Sequence, residues 1–324
     1  MKIVIAACPE IPVPPIKYGG TERQADIIAR GLVAKGHDVL LLSGPGSTCP
    51  VTKIMTKAPT MSAEWEHISW LRSNKGWDCL LDMTAQHLPS QAIGLPDGSK
   101  TLALMLGDPH KKYAHDSVRN RVYCSKVFAE FNGCINHPVL PNIPTDCPQD
   151  VPLGDGSGKY CLYIGAIRPE KGVHLAASTC RRLGVPLKVA GPIQPRFAAY
   201  WNSFKDEIEY LGEIGGERWA LMGNATCLMF PSLWCDAGPL VVKESLLCGT
   251  PVLACPNGGV IEDVDETNGM LVDPDDLNTG LFKMTHMSWD RRAIQEAAVA
   301  KANPIKHLFE LETLLSRVVR GETW

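Results

Sequence analysis

Short apolar runs alternate with stretches of helical spacing from one end of the chain to the other. "KIVIAA" (2–7) predicts a first strand, and "TERQADIIARGLVAKG" (21–36) a helix with Ile27, Ile28, Leu32 and Val33 on one face. Gly36 ends that helix and "DVLLLSG" (38–44) predicts the next strand. "DCLLDM" (78–83), "TLALML" (101–106) and "RVYCS" (121–125) continue the series. Residues 138–159, "PVLPNIPTDCPQDVPLGDGSGK", are rich in Pro, Gly and Asp and carry no long apolar run, which predicts a linker. Beyond it the pattern restarts with "YCLYIG" (160–165), "PLKVAG" (186–191), "TCLMFPS" (226–232) and "PVLACP" (251–256). The order predicts an α/β chain of two Rossmann-like, doubly wound domains, 1–150 and 151–306. A C-terminal amphipathic helix (307–324) is expected to pack back on the first domain. A cleft between the halves is the expected ligand site.

Composition narrows the classes. The 324 residues are enough for two cores, and 45% hydrophobic with 21% charged residues describes a globular chain. A net charge of −3 creates no global field for a polyanion. The 12 cysteines form no C-x-x-C pair, so zinc and thioredoxin-like chemistry are unsupported. Several lie inside apolar runs, such as Cys79, Cys227 and Cys255, where a thiol behaves as a small hydrophobe. That usage, with an N-terminal apolar run too short for a secretory signal, predicts a cytoplasmic protein. No segment approaches the roughly 20 apolar residues of a membrane span.

Three loops that follow predicted strands hold the candidate chemistry. "PVPPIKYGGTER" (12–23) places Gly19 and Gly20 before the first helix, where bare amides and a helix dipole could meet a ligand. A flexible turn is the plainer alternative. "YIGAIRPEKGVHLA" (163–176) places Gly165, Arg168 and Lys171 in a strand-to-helix loop, where two cations suit a diphosphate, or are simply solvated. "WCDAGPLVVKES" (234–245) carries Asp236 in the loop and Glu244 about one and a half turns into a helix that is expected to begin near Pro239. Leu240, Val241, Leu246 and Leu247 are the expected buried stripe of that helix. Glu244 either faces solvent or accepts hydrogen bonds from a ribose diol. "PNGGVIED" (256–263) follows the next strand.

These segments together resemble the retaining GT-B glycosyltransferases of family 4, and the similarity runs over nearly the whole chain. "PSLWCDAGPLVVKESLLCGTPVLACPNGG" (231–259) looks like the family's C-terminal block of two acids separated by seven residues, a Gly-Thr-Pro-Val strand and a Gly-Gly loop. "YIGAIRPEKG" and "YGGTER" resemble its two other glycine-bearing loops. The resemblance implies metal-independent transfer of a hexosyl or pentosyl group from a nucleoside-diphosphate sugar, most readily UDP-linked, with no cofactor. It implies that Glu244 binds the ribose and Asp236 the donor sugar. Arg168 and Lys171 would neutralise the diphosphate, aided by amides of Leu240 and Val241 beside Pro239. Gly212, Glu213 and Ile214 in "YLGEIGG" (210–216) would cup the base, and Gly19 and Gly20 would meet donor phosphate or acceptor.

Three positions depart from the family pattern. Asp236 stands where the family usually has Glu, Ala166 where it usually has Arg, and Gly107 where many members carry His. Arg168 and His110 are the expected substitutes. The losses leave open a catalytically impaired nucleotide-sugar-binding protein. Residues 110–126, "HKKYAHDSVRNRVYCSK", hold five Lys/Arg against one acid. A solvated helix face is the favoured explanation. The other is an anionic acceptor, such as a phosphorylated glycan or hydroxymethylated DNA, met by Asp108, Lys111 and Lys112.

Overall fold

The computed structural model describes residues 1–93, 100–107 and 118–324. The chain forms two compact units, Met1–Asn142 with Pro304–Trp324, and Ile143–Asn303. Among the described residues no helix is long and apolar enough to cross a membrane.

In the first unit, β1 (Lys2–Ala6), β2 (Asp38–Ser43), β3 (Thr52–Met55), β4 (Cys79–Asp82), β5 (Thr101–Met105) and β6 (Arg121–Tyr123) make a sheet of order β3-β2-β1-β4-β5-β6. All of its pairings are parallel. Alternation along β1 sends Ile3 and Ile5 to one face and Val4 and Ala6 to the other, and both faces are buried. That double burial produces the continuous apolar runs visible in the sequence. The helices are α1 (Gly20–Ala34), α2 (Glu64–Ser73), α3 (Leu88–Ile93) and α4 (Lys126–Phe131). α1 shares its face with the chain's last helix, Pro304–Val319, whose Leu311 and Leu315 lie in the same core as Ile3, Ile28 and Leu81. The C-terminal helix therefore packs on the first unit, as the sequence predicts.

Two buried titratable groups in this unit pull its pH stability in opposite directions. Burial pushes the His307 imidazole from 6.5 down to about 4, although its Nδ1 lies 2.9 Å from the Pro141 carbonyl. Burial, with help from Glu10, pushes the Glu22 carboxyl from 4.5 up to about 7. Between pH 6.5 and 4 unfolded His307 binds a proton that the folded chain refuses, so its contribution falls as pH drops. Between pH 4.5 and 7 folded Glu22 keeps a proton that the unfolded chain releases, so its contribution falls as pH rises. Each effect is about 3 kcal/mol. His307→Gln should therefore leave a stability that declines from pH 4.5 to 7, and Glu22→Gln one that declines from pH 6.5 to 4. Urea midpoints measured across that range check this, and parallel curves for the two variants would contradict it.

The second unit repeats the plan with β7 (Cys161–Ile164), β8 (Leu187–Ala190), β9 (Glu209–Tyr210), β10 (Cys227–Phe230), β11 (Val252–Ala254) and β12 (Gly269–Leu271). The order is β12-β11-β10-β7-β8-β9, again parallel throughout. Its helices are α5 (Val173–Leu183), α6 (Ala198–Asn202), α7 (Arg218–Asn224), α8 (Leu240–Leu247), α9 (Leu277–His286) and α10 (Arg291–Lys301), so the C-terminal helix is α11. Cys161, Tyr163, Cys227 and Met229 pack with α5 and α9 on one face of the sheet. Leu162, Leu228 and Phe230 pack with α7, α8 and α10 on the other. The cysteines serve as core, with Cys161 and Cys227 side by side across β7 and β10.

α8 differs in detail from the sequence expectation. It begins at Leu240, with Pro239 at ψ 109° as its cap and outside the helix. Its buried stripe is Val242, Leu246 and Leu247, while Leu240 and Val241 are only half-buried. Val241 still packs against the edge of the core around this stripe, whereas Leu240 is not part of it.

Candidate functional site

In the second sheet the strand order turns back between β7 and β10, which lie side by side. In doubly wound sheets the carboxyl ends of such a strand pair are where a ligand can reach backbone and helix termini. The loop after β7 carries Gly165, Ala166, Arg168 and Lys171, and the loop after β10 carries Ser232 and Asp236. A turn at Pro169–Lys171 leads into α5, and the Leu233 amide donates to the Glu170 carbonyl at 2.9 Å, which holds the two loops together.

Lys171 and Asp236, 65 residues apart, meet there. The Lys171 ammonium donates to Asp236 Oδ1, and the Ser232 hydroxyl donates to Asp236 Oδ2 at 2.7 Å. The side chains of Lys171 and Asp236 retain 17% and 14% exposure, so the pair is largely dry yet open on one side. The backbone around it is fixed as well. Gly259 donates to the Asp236 carbonyl at 2.7 Å, and the Asn257 side chain donates to the Ser232 carbonyl at 2.9 Å. Arg168 forms an ion pair with Glu170 at 3.3 Å and lies over the Trp234 ring, 5.9 Å from its centroid.

Glu244 lies on α8, whose amino end opens beside this pair, and it is buried. Arg218, the first residue of α7, donates from Nε to Glu244 Oε1 at 3.0 Å. Gly212, Glu213 and Ile214 follow β9, and the Gly191 amide donates to the Gly212 carbonyl at 2.9 Å. Ile214 is buried and Glu213 is exposed. Gly19 and Gly20 belong to the first unit, where Pro15 packs against Gly19 and Gly20 opens α1. Gly107 follows β5 and is exposed. Asp108, His110, Lys111 and Lys112 lie outside the described residues.

The second unit thus gathers Arg168, Lys171, Asp236, Pro239, Leu240, Val241 and Glu244 around the ends of β7 and β10. Ser232 and Arg218 belong to the same group and no sequence signal singles them out. Ser232 sits within the quoted block, whereas nothing local connects Arg218 to a carboxylate 26 residues later. Among the described residues no three His, Cys, Asp or Glu side chains gather to hold a metal.

Residues 158–285 match the family model described as Glycosyl transferases group 1. That match falls within the second unit and makes it similar to a group 1 glycosyl transferase domain. No curated protein matches the chain. Among solved structures it is similar to AviGT4, a glycosyltransferase of avilamycin A biosynthesis, at 24% identity and TM-score 0.75 over 100% of this chain and 99% of that one. It is also similar to sucrose-phosphate synthase from Thermosynechococcus elongatus, at 16% identity and TM-score 0.80 over 99% and 100%. Anabaena HepE, solved with UDP-glucose, matches at 14% identity and TM-score 0.75 over 98% and 100%. These likenesses establish the GT-B fold.

Proposed function

We propose that the protein is a glycosyl transferase that moves a sugar, with retention, from a ribonucleoside-diphosphate sugar to an acceptor hydroxyl. UDP-linked sugars are the first donors to test, because HepE was solved with UDP-glucose. The observation that carries this reading is the Lys171–Asp236 pair at the ends of β7 and β10, beside the amino end of the helix that bears Glu244.

Each part has a physical task. The Glu244 carboxylate accepts from the ribose hydroxyls. Lys171, Arg168 and the Leu240 and Val241 amides face the diphosphate, whose negative charge grows as the glycosidic bond breaks. Because these cations and dipoles are already in place, the leaving group can be stabilised without a metal. Asp236, held by Ser232 and Lys171, presents its carboxylate to the sugar hydroxyls near the reacting carbon. The acceptor oxygen then attacks on the face from which the diphosphate departs, so the anomeric configuration is kept. The first task of the enzyme is orientation, the second is charge stabilisation.

Thermal shift against UDP-, GDP-, ADP- and TDP-sugars tests donor binding, since a ligand that binds the folded chain raises its apparent stability by about 2.7 kcal/mol at one hundred times Kd. One donor should stand out, and its turnover should be indifferent to EDTA and give a retained anomer by NMR. Failure of every donor to shift the transition would sink the reading. A bound donor without release of nucleoside diphosphate, to acceptor or water, would favour a binding protein instead. In that event Gly107→His is the informative variant, because a side chain added at Gly107 meets nothing within 4 Å.

A further inference from the structure

Arg218 stands outside every motif of the sequence, yet its guanidinium is fixed on three sides. Nε donates to Glu244 Oε1 at 3.0 Å, Nη1 donates to the Gly215 carbonyl at 3.0 Å, and the Trp219 ring centroid lies 4.5 Å from Cζ. The side chain is 11% exposed and the Glu244 side chain 4%. Two segments that follow strands of one sheet are thereby joined: the turn after β9, which contains Gly215, and the helix after β10, which contains Glu244.

A planar, always-charged fork is the group suited to bridging a carboxylate and a carbonyl at fixed angles, and a lysine could reach only one of them with the same geometry. A glutamate held by such a fork loses its rotamer freedom before any ligand arrives, so binding carries no further entropy loss for ordering it. Stability alone does not account for three contacts on one buried cation, since a buried ion pair contributes little beyond what an apolar pair would.

We infer that Arg218 is a positioning residue for nucleotide recognition: it aims the Glu244 carboxylate and locks it to the 212–216 turn, so that preference for a ribose over a 2′-deoxyribose depends on Arg218. The inference rests on the donor-site reading above, in which Glu244 meets the ribose diol. A merely structural pair would affect ribose and deoxyribose nucleotides alike, whereas a positioning role affects the ribose form selectively.

The test compares the tightest of UDP, GDP and ADP with its 2′-deoxy counterpart by isothermal titration, in the wild type, Arg218→Gln, Arg218→Lys and Glu244→Gln, with the double variant closing the cycle. The wild type should favour the ribose form. Arg218→Gln should weaken that form by about tenfold or more while changing the deoxy form by less than about threefold, so the preference collapses. Arg218→Lys should recover part of the preference, because it keeps the charge but not the fork. The double variant should be no weaker than Glu244→Gln. Equal weakening of both nucleotides, or a preference that survives Arg218→Gln, would overturn the inference and leave the donor site standing. A wild type that binds neither form would instead overturn the donor-site reading itself. Unfolding of Arg218→Gln would leave Arg218→Lys to decide: a full wild-type preference there would overturn the inference.

Discussion

Lys171→Ala should slow release of nucleoside diphosphate from the preferred donor by roughly 10²- to 10³-fold in kcat, with a much smaller change in KM. The ammonium sits in a site that is largely closed to water, beside the ends of two strands, where a fixed charge is worth more than at an open surface. In the proposed role its benefit would grow as charge develops on the diphosphate, so the loss should fall on the transition state more than on the bound donor. Asp236 already holds this ammonium in place through Oδ1, so no reorganisation is needed when the donor arrives. Arg168, proposed to face the same diphosphate, does not fill the position of the lost ammonium, because it pairs with Glu170 and lies over Trp234. Lys171→Arg keeps the charge and should recover part of the rate. Because the acceptor is unidentified, water serves as acceptor and diphosphate release is measured against a no-enzyme blank. A kcat within about threefold of the wild type, with an unchanged melting temperature, would remove Lys171 from the chemistry and leave it as a clamp for Asp236.

How much of this was legible in the sequence follows from burial. Strands buried on both faces, such as β1, β4 and β10, print as runs of consecutive apolar residues, and the pattern finds them with errors of a residue or so at the ends. β3, β9 and β12 carry no such signature. Thr52–Met55 is exposed or half-buried throughout, Glu209–Tyr210 is exposed, and Gly269–Leu271 is buried only at its first residue. All three are edge strands, where a row of side chains meets solvent and the periodicity fades. The candidate loop residues were legible as a set, because Arg168, Lys171, Asp236 and Glu244 each stand in a short segment of distinctive composition. Their partners were not. That the Lys171 ammonium rests on Asp236, that Ser232 holds the other oxygen and that Arg218 holds Glu244 are all consequences of the sheet topology, which brings together residues up to 65 positions apart.

The second large effect is expected at Gly172, which caps α5 in the left-handed region at φ 69° and ψ 18°. A side chain in that region costs about 1–2 kcal/mol for an L-residue other than glycine. The larger cost is a collision: a Cβ at this position would lie 1.9 Å from the Pro231 carbonyl oxygen. No rotamer relieves an overlap with backbone, so Gly172→Ala must push the 169–171 turn away from the end of β10. The Leu233–Glu170 backbone bond and the Lys171–Asp236 contact both cross that gap. The sum should be roughly 2–5 kcal/mol, since overpacking adds about 1–3 kcal/mol to the backbone cost. Gly184→Ala is the matched control, at the other end of the same helix with φ 67° and nothing within 4 Å of an added Cβ. It carries the conformational cost alone, about 1–2 kcal/mol, and should leave donor binding unchanged. Denaturation and donor titration of both variants separate the two costs. If Gly172→Ala loses no more stability than Gly184→Ala and binds donor as the wild type does, the approach of the two loops is not what sets the geometry of Lys171.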